Sequence, residues 1–327
     1  VPSQPTFYEF QRDGKIIKAL AQTTKTGLTF LLNRETGEPI FPIEEREVPQ
    51  GAIEGDYVSK TQPFPTKPAP LNPTYFDPDK AFGFTFWDRG HCKRIAKKLR
   101  NEGLFTPPSL QGSIHYPSGV GGNNWGGPAV DSKRNIMVVN TNNMASLIVM
   151  IPREDCNKPL EELSINKNQV RFTNIESNEG APYCNLRSMG FFSPLGVPCT
   201  EPPWGTLTAV DLNTGEHLWN VPLGTSKDLA PFPFWWIKGA PNMGGPTVTA
   251  SGVTFIGATS DHYLRAFNTE TGEEIVKFRL PTGAHATPMT YTNKEGRQFV
   301  VIAAGGHWAI GTPASDHLIA FALPKNK

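Results

Sequence analysis

One stretch of the chain, Gly244 to Leu280, has the pattern of a complete four-stranded antiparallel sheet. Four short runs rich in β-branched or aromatic residues, separated by turn residues, make up the pattern: Pro246–Ala250, Val253–Ala258, Leu264–Asn268 and Glu274–Leu280. Ser-Gly, Ser-Asp and Thr-Gly pairs lie in the turns between these runs. The stretch therefore predicts an antiparallel meander, which is the blade of a β-propeller.

The same frame occurs three more times along the chain. Its second strand recurs as KIIKALAQ, NIMVVNTN, VTFIGATS and QFVVIAAG. The turn before its last strand recurs at Glu35–Glu38, Asn213–Glu216 and Glu270–Glu273, each with Thr-Gly at its centre. Self-similarity at the spacing of one blade indicates radial repetition. We therefore expect an all-β fold of four-stranded antiparallel blades, with four blades present.

The repeat also predicts where the blades begin and end. Blades are expected over residues of about 1–45, 113–224, 239–281 and 283–324, with inserts at about 46–112 and 152–203. The second blade is expected to include the run up to Ile151 and to gain its last strands, Leu207–Leu212 and Glu216–Pro222, after the second insert. Trp219 follows the Thr-Gly turn of this blade, so we predict that it packs against the next blade rather than against a cofactor.

The last blade has three strand patterns and no fourth. An open sheet edge is an aggregation hazard that native proteins avoid. We therefore expect the chain to be the C-terminal half of a larger ring, whose N-terminal half supplies the remaining strand.

Charge and cysteine usage exclude some classes of function. A net charge of +1 argues against a nucleic-acid partner, because phosphate binding requires a basic surface. The chain has no run of 18 apolar residues that could span a membrane. Cys92, Cys156, Cys184 and Cys199 have no CxxC spacing, so a zinc site is not expected. They favour an oxidising compartment and at least one disulfide, with three pairings possible.

Candidate site residues lie at equivalent places in the repeat. In a propeller, the turns between second and third strands share one face with the loops that enter the first strands. These turns carry Lys25, Asn142, Asp261 and His307, and the entering loops add Asn124, Trp125, Asn242, Met243 and His285. Asn142 and Asp261 are also common in purely structural turns. A lysine, a histidine and an indole around one axis indicate a ligand site.

Several segments resemble one family of enzymes. GGPTVTASGVTFIGATSDHYLRAFNTETGE, LPTGAHATPMTY, VVIAAGGH and PPWGTLTAVDLNTGE are similar to the membrane-bound glucose, quinate and polyol group of dehydrogenases that depend on pyrroloquinoline quinone (PQQ). The resemblance covers essentially the whole chain. It implies an eight-bladed ring, of which this chain would be half, with PQQ on the axis. It also implies periplasmic oxidation of a sugar, polyol or cyclic alcohol, with electrons passed to a quinone-type acceptor.

The resemblance also implies roles for individual residues. Lys25 would contact the quinone oxygens of PQQ, and Asn142 and Asp261 would lie beside the cofactor, as would Trp125 from its place in the entering loop. His307 resembles the family's pocket histidine and is assigned to the substrate together with Asn124. The catalytic aspartate is expected upstream of this chain, as are most ligands of a divalent metal, calcium or magnesium. No catalytic or metal-binding residue is therefore assigned here.

A second class of protein shares the strand pattern. Non-catalytic propeller scaffolds of the bacterial envelope have the same strands and Thr-Gly turns. A scaffold has no reason to place Lys25, His307 and Trp125 around one axis. It is the alternative to the enzyme.

Overall fold

A computed structural model describes residues 2–159, 174–232 and 234–324. This part of the chain forms short antiparallel sheets connected by loops. The predicted all-β architecture of antiparallel four-stranded blades is confirmed. Part of the predicted second insert, residues 160–173, lies outside the described residues.

The first sheet has three strands rather than the four that the repeat predicts. Its strands, in order, are β1 (Thr6–Arg12), β2 (Lys15–Thr23) and β3 (Thr29–Asn33). The fourth strand is reduced to one bridge between Leu32 and Pro39. Pro39 and Pro42 have no N–H to donate, so this run cannot form a full ladder. The chain instead forms a separate hairpin from β4 (Ile43–Glu47) and β5 (Thr61–Pro65).

A four-stranded sheet that the sequence did not reveal follows the first insert. Its strands are β6 (Ser113–His115), β9 (Ser146–Pro152), β10 (Asn174–Glu176) and β11 (Tyr183–Arg187), in the order β10-β11-β9-β6. The assignment of the run up to Ile151 to the second blade was therefore wrong. The chain leaves that blade after Asn142, because Asn143 turns away to bond Trp204 O and Pro203 O.

The second predicted blade is completed by distant strands. Its strands are β7 (Ala129–Asp131), β8 (Ile136–Asn142), β12 (Gly205–Asp211) and β13 (His217–Pro222), in the order β13-β12-β8-β7. Strand β12 takes the place beside β8, with Gly205 opposite Asn142. Every residue of β8 is buried, as expected for a strand covered on both faces.

The last two sheets follow the predicted frame. The first of them contains β14 (Thr247–Val248), β15 (Val253–Ile256), β16 (Tyr263–Asn268) and β17 (Glu274–Arg279) in sequential order. The other contains β18 (Met289–Thr292), β19 (Gln298–Ala304) and β20 (His317–Phe321). The three strands described in this last sheet agree with the sequence pattern.

Contacts between sheets use the aromatic residue of the outer strand. The Trp219 indole donates a 3.0 Å hydrogen bond to Thr269 O in the next sheet. A Cβ atom on Gly272 would lie 2.7 Å from the Trp219 ring, so only glycine fits beneath it. Phe41 packs in the same way on Gly215. The prediction that Trp219 packs between blades is confirmed. The glycine of each Thr-Gly turn, at positions 37, 215 and 272, has a positive φ, which explains why glycine recurs there.

Two disulfides hold the inserts, which confirms the prediction of at least one. Cys156 pairs with Cys184 beside β9 and β11, and Cys92 pairs with Cys199. Cys92 lies on helix α1 (Phe86–Ala96), so this bond joins the first insert to the second. Within the described parts of the chain, no helix is long and apolar enough to cross a lipid bilayer.

Candidate functional site

The loop of residues 119–125 connects the first two candidate turns. Lys25 O accepts a 2.7 Å hydrogen bond from Gly122 N, and Gly122 O accepts a 2.8 Å hydrogen bond from Asn142 N. At the start of the loop, Gly119 O accepts a 2.8 Å hydrogen bond from the exposed ammonium of Lys25. Lys25 and Asn142 therefore lie on either side of this loop.

Asn142 holds the loop that enters the following sheet. Its Nδ2 donates to Asn242 O and its Oδ1 accepts from Asn242 N, both at 2.7 Å. The side chain is buried, and its amide is used by this exchange. Asn242 in turn bridges to Thr259, two residues before Asp261. A contact of Asn142 with PQQ remains a prediction.

Asp261 is a fully buried carboxylate with partners at both oxygens. Arg265 makes a two-pronged ion pair with it, Thr259 donates from its hydroxyl at 2.6 Å, and Thr225 donates from its backbone N at 2.8 Å. Burial by itself would raise the pKa of Asp261, but the hydrogen bonds and charge of Arg265 outweigh it and lower the pKa. Asp261 therefore stays ionised and fixes its turn, and a direct cofactor contact remains a prediction.

A hydrogen-bonded chain links His285 to His307. The Nδ1 atom of His285 lies 2.9 Å from Ala258 O, and a carbonyl can only accept, so Nδ1 carries the proton. Burial lowers the pKa of His285 to about 4, which leaves the ring neutral at pH 7. Its Nε2 must then accept from the Thr312 hydroxyl at 2.9 Å. Thr312 Oγ1 accepts at 2.7 Å from the backbone N of His307.

Trp125 and His307 meet at the surface. Their ring centroids are 5.5 Å apart, and the Trp125 indole donates a long 3.4 Å hydrogen bond to His285 O. Trp125 is 42% exposed, so part of its indole ring is open to solvent. Asn124 turns its amide inward, accepting from Trp125 N at 2.9 Å and donating to Val120 O at 2.6 Å. The structure thus joins Trp125 and His307 directly, and joins Lys25 to them through the loop of residues 119–125.

Thr312 and Arg265 support the site but were not predicted from the sequence, whereas Asn242 was among the predicted residues of the entering loops. Thr312 lies in an ordinary turn sequence, GTP, that gives no sign of its bond to a histidine. Arg265 lies four residues after Asp261, which is a weak signal in a strand-turn-strand context. Among the described residues, no three His, Cys, Asp or Glu side chains cluster as metal ligands would.

Comparison with known proteins identifies the family. Residues 1–300 match the family described as "PQQ: Glucose/ethanol/alcohol dehydrogenase, beta-propeller domain". The chain belongs to this family. It is 40% identical to the quinoprotein glucose dehydrogenase of Escherichia coli, over 99% of the chain and 41% of that protein. It is 36% identical to the quinate/shikimate dehydrogenase (quinone) of Acinetobacter baylyi, over 99% of the chain and 40% of that protein.

A further curated relative and a solved structure are also similar to this PQQ β-propeller chain. The glycerol dehydrogenase large subunit of Gluconobacter oxydans is 34% identical over the whole chain and 46% of its own length. The chain thus spans less than half of the curated relatives that it matches. Among solved structures, the quinohemoprotein alcohol dehydrogenase of Comamonas testosteroni gives a TM-score of 0.52 at 20% identity, over 93% of this chain and 34% of that chain. This likeness supports the propeller fold.

The buried pair of Asp261 and Arg265 can be tested against an exposed pair. Asp261→Asn leaves the Arg265 charge buried without its main partner, and we expect it to lower the free energy of unfolding by about 3 kcal/mol. Asp228→Asn, which breaks the more exposed pair with Arg279, is expected to lower it by less than about 1 kcal/mol. Urea unfolding of the complete PQQ β-propeller protein without PQQ measures both. Unchanged stability in Asp261→Asn, with weaker PQQ binding, would instead make Asp261 a cofactor contact.

The His285 ring predicts a dependence of stability on pH. Its pKa is about 4 when folded, below its usual value, so the unfolded chain binds more protons at pH values between the two. The contribution of His285 to the free energy of unfolding is fully present above about pH 6.5. It decreases as the pH falls, by about 2 kcal/mol at pH 5. Urea unfolding of the complete protein at pH 7 and pH 5 measures this loss. In His285→Gln, the decrease in unfolding free energy from pH 7 to pH 5 should be smaller by about 2 kcal/mol. An equal decrease in both proteins would contradict the lowered pKa of His285.

Proposed function

We propose that this chain is the C-terminal part of a PQQ-dependent dehydrogenase that oxidises a sugar, polyol or cyclic alcohol. The observation that carries the proposal is the contact between the Trp125 indole and the His307 ring, with the Lys25 ammonium bound to the start of the same loop, residues 119–125, that ends at Trp125. A scaffold would not require a cation and two aromatic rings at this place. The matching relatives include enzymes named for glucose, quinate and glycerol.

The residues of this chain fit PQQ, a planar anion with quinone oxygens. The Lys25 ammonium is exposed, and its described hydrogen bond to Gly119 O uses one of its three donors. The remaining donors can meet an oxygen on which negative charge develops. The exposed part of the Trp125 indole can contact a planar ring. When bound, PQQ supplies the electron-deficient quinone that accepts two electrons from the alcohol.

The proposed roles follow from these contacts. Lys25 stabilises negative charge at the reacting oxygen, and Trp125 bounds the cofactor site with Asn142 and Asp261. His307 binds a substrate hydroxyl, and Asn124, which precedes Trp125 in the sequence, is assigned to the substrate as well. Thr312 and His285 hold His307 in place through its backbone. The base that removes the hydroxyl proton, an aspartate, is expected in the N-terminal half, with most ligands of a calcium or magnesium ion.

Two observations support a partner half that completes the ring. The relatives are more than twice as long as this chain. A cavity of about 770 Å³ also lies open between the fourth and last described sheets, with Val276, Phe278 and Phe321 among its lining residues. In the complete protein, a strand from the N-terminal half would pair with β20 and cover these side chains.

The location and the electron acceptor are also part of the proposal. Two disulfides favour an oxidising compartment, and for this family we propose the periplasm. A quinone-type acceptor is supported by the names of two relatives, the quinate/shikimate dehydrogenase (quinone) and the probable quinate dehydrogenase (quinone).

The activity can be tested on the complete protein. After reconstitution with PQQ and calcium or magnesium, it should oxidise one or more of a panel of sugars, polyols and cyclic alcohols and reduce phenazine methosulfate. Residues 1–327 alone, treated in the same way, should give no turnover, because the base is expected elsewhere. Complete protein that binds PQQ but oxidises no member of the panel would refute the proposal. Turnover by the isolated chain would show that the base lies within it.

Replacing Lys25 and replacing His307 should change the kinetics of the enzyme in different ways. Lys25→Ala removes stabilisation of the developing charge and should lower kcat about 100-fold, with little change in substrate ranking. His307→Ala should raise KM and change the ranking while PQQ binding stays nearly intact. Lys294→Ala, an exposed lysine in the turn between β18 and β19, is the control. The same loss of PQQ affinity in both site variants, with no change in ranking, would make His307 a cofactor ligand.

A further inference from the structure

Asn72 is a buried polar residue of the first insert that has no role in the function proposed above. It is 4% exposed. Its Nδ2 atom donates a 2.8 Å hydrogen bond to Asn142 O and a 2.7 Å hydrogen bond to Asn143 Oδ1. Both acceptors lie where strand β8 ends. Asn72 therefore joins the first insert to the part of the repeat that carries a candidate turn.

The oxygen of the same amide packs between two glycines. A Cβ atom on Gly27 would lie 2.6 Å from Asn72 Oδ1, and a Cβ atom on Gly122 would clash with the same oxygen. The preceding residue, Leu71, donates a 2.9 Å hydrogen bond from its backbone N to Gly27 O. Gly27 comes two residues after Lys25, and Gly122 lies in the loop that connects the first two candidate turns. The Asn72 side chain thus contacts both of these turns and the loop between them.

The loop that Asn72 contacts also fixes the side chain of Lys25. Gly119 O accepts the 2.8 Å hydrogen bond from the Lys25 ammonium, and Gly122 N donates at 2.7 Å to Lys25 O. Gly121, whose φ is +91°, lies against the stem of the lysine, since a Cβ atom on it would lie 2.5 Å from Lys25 Cγ. The loop therefore contacts Lys25 at its backbone, its stem and its charged end, and a shift of the loop would move the ammonium.

We propose that Asn72 is a positioning residue that sets where the Lys25 ammonium lies. The inference rests on the proposed function, in which Lys25 stabilises negative charge at the reacting oxygen. Without the Asn72 amide, Asn142 O and Asn143 Oδ1 lose a donor in the protein interior, and the space between the two glycines is no longer filled. Buried acceptors without a donor are costly, so the loop relaxes and the ammonium moves. A displacement of about 1 Å can slow an enzyme about 100-fold.

The test compares Asn72→Ala with Asn101→Ala in the complete protein. Asn101 is a matched control, because its Nδ2 donates at 2.7 Å to Phe76 O and this hydrogen bond lies within the first insert. Asn72→Ala should lower kcat about ten-fold and leave the KM for the alcohol and the substrate ranking unchanged. It should also weaken PQQ binding about five-fold, measured by quenching of tryptophan fluorescence. Asn101→Ala should change none of these quantities.

A double-mutant cycle with Lys25→Ala separates positioning from a general loss of structure. If Asn72 acts through Lys25, Asn72→Ala should change kcat and PQQ affinity by less than about two-fold once Lys25 is alanine. A merely structural role would give the same losses with and without Lys25. Hydrogen exchange of the complete protein without PQQ is a readout that needs no activity. Exchange at residues 119–125 should be faster in Asn72→Ala than in Asn101→Ala.

The outcomes separate this inference from the proposed function. Equal losses in both Lys25 backgrounds, or unchanged PQQ binding in Asn72→Ala, would overturn the positioning role. If Asn72→Ala does not fold, Asn72→Ser, which keeps a hydroxyl donor, replaces it in every measurement. Failure of both variants to fold would make Asn72 a folding residue and also overturn the proposal. If the protein oxidises no alcohol, but Asn72→Ala weakens PQQ binding only when Lys25 is present, the proposed function fails and the positioning role stands.

Discussion

The exchange of two hydrogen bonds between Asn142 and Asn242 is the contact on which the candidate site depends. It joins the end of β8 to the loop that enters the next sheet, and both residues are buried. The connection continues from Asn242 to Thr259, and from Ala258 through His285 and Thr312 to His307. Because buried polar groups must be paired, each turn fixes the loop beside it. Trp125 and His307 face one another because this series of loops is held.

The candidate site contains buried polar residues that hold the backbone and exposed groups that can contact a ligand. Asn142, Asp261 and His285 have their hydrogen-bonding groups occupied inside the chain, and they position the backbone. Lys25 lies on the surface, and its one described hydrogen bond leaves two of its three donors for a ligand. An exposed ammonium can gain a hydrogen bond to a ligand oxygen. The chemistry of the site therefore depends on exposed groups such as Lys25 more than on the buried turn residues.

The inserts build much of the wall of a cavity of about 590 Å³, to which Phe84, Met189 and Val197 contribute. The disulfide between Cys92 and Cys199 joins α1 to the segment that contains Val197, and the N–H of Phe82 donates to Cys199 O at 2.8 Å. Phe82 packs edge-on against Trp204, which lines the cavity. The regular sheets, in contrast, are packed by Trp219 on Gly272 and Phe41 on Gly215. The repeat supplies the frame, and the inserts supply a surface specific to this chain.

The sequence by itself determined the strand frame, the place of the Thr-Gly turns, the packing role of Trp219 and the positions of the candidate turns, because these features depend on local periodicity and turn chemistry. It also contained the resemblance that pointed to the family. Only the tertiary structure decided which cysteines pair and that Ser146–Pro152 belongs to a separate sheet. It also decided that Asp261 forms a buried ion pair with Arg265. Those outcomes depend on which segments, distant in the sequence, lie beside a strand edge or a buried charge in the folded protein. The spacing of residues along the chain does not specify these contacts.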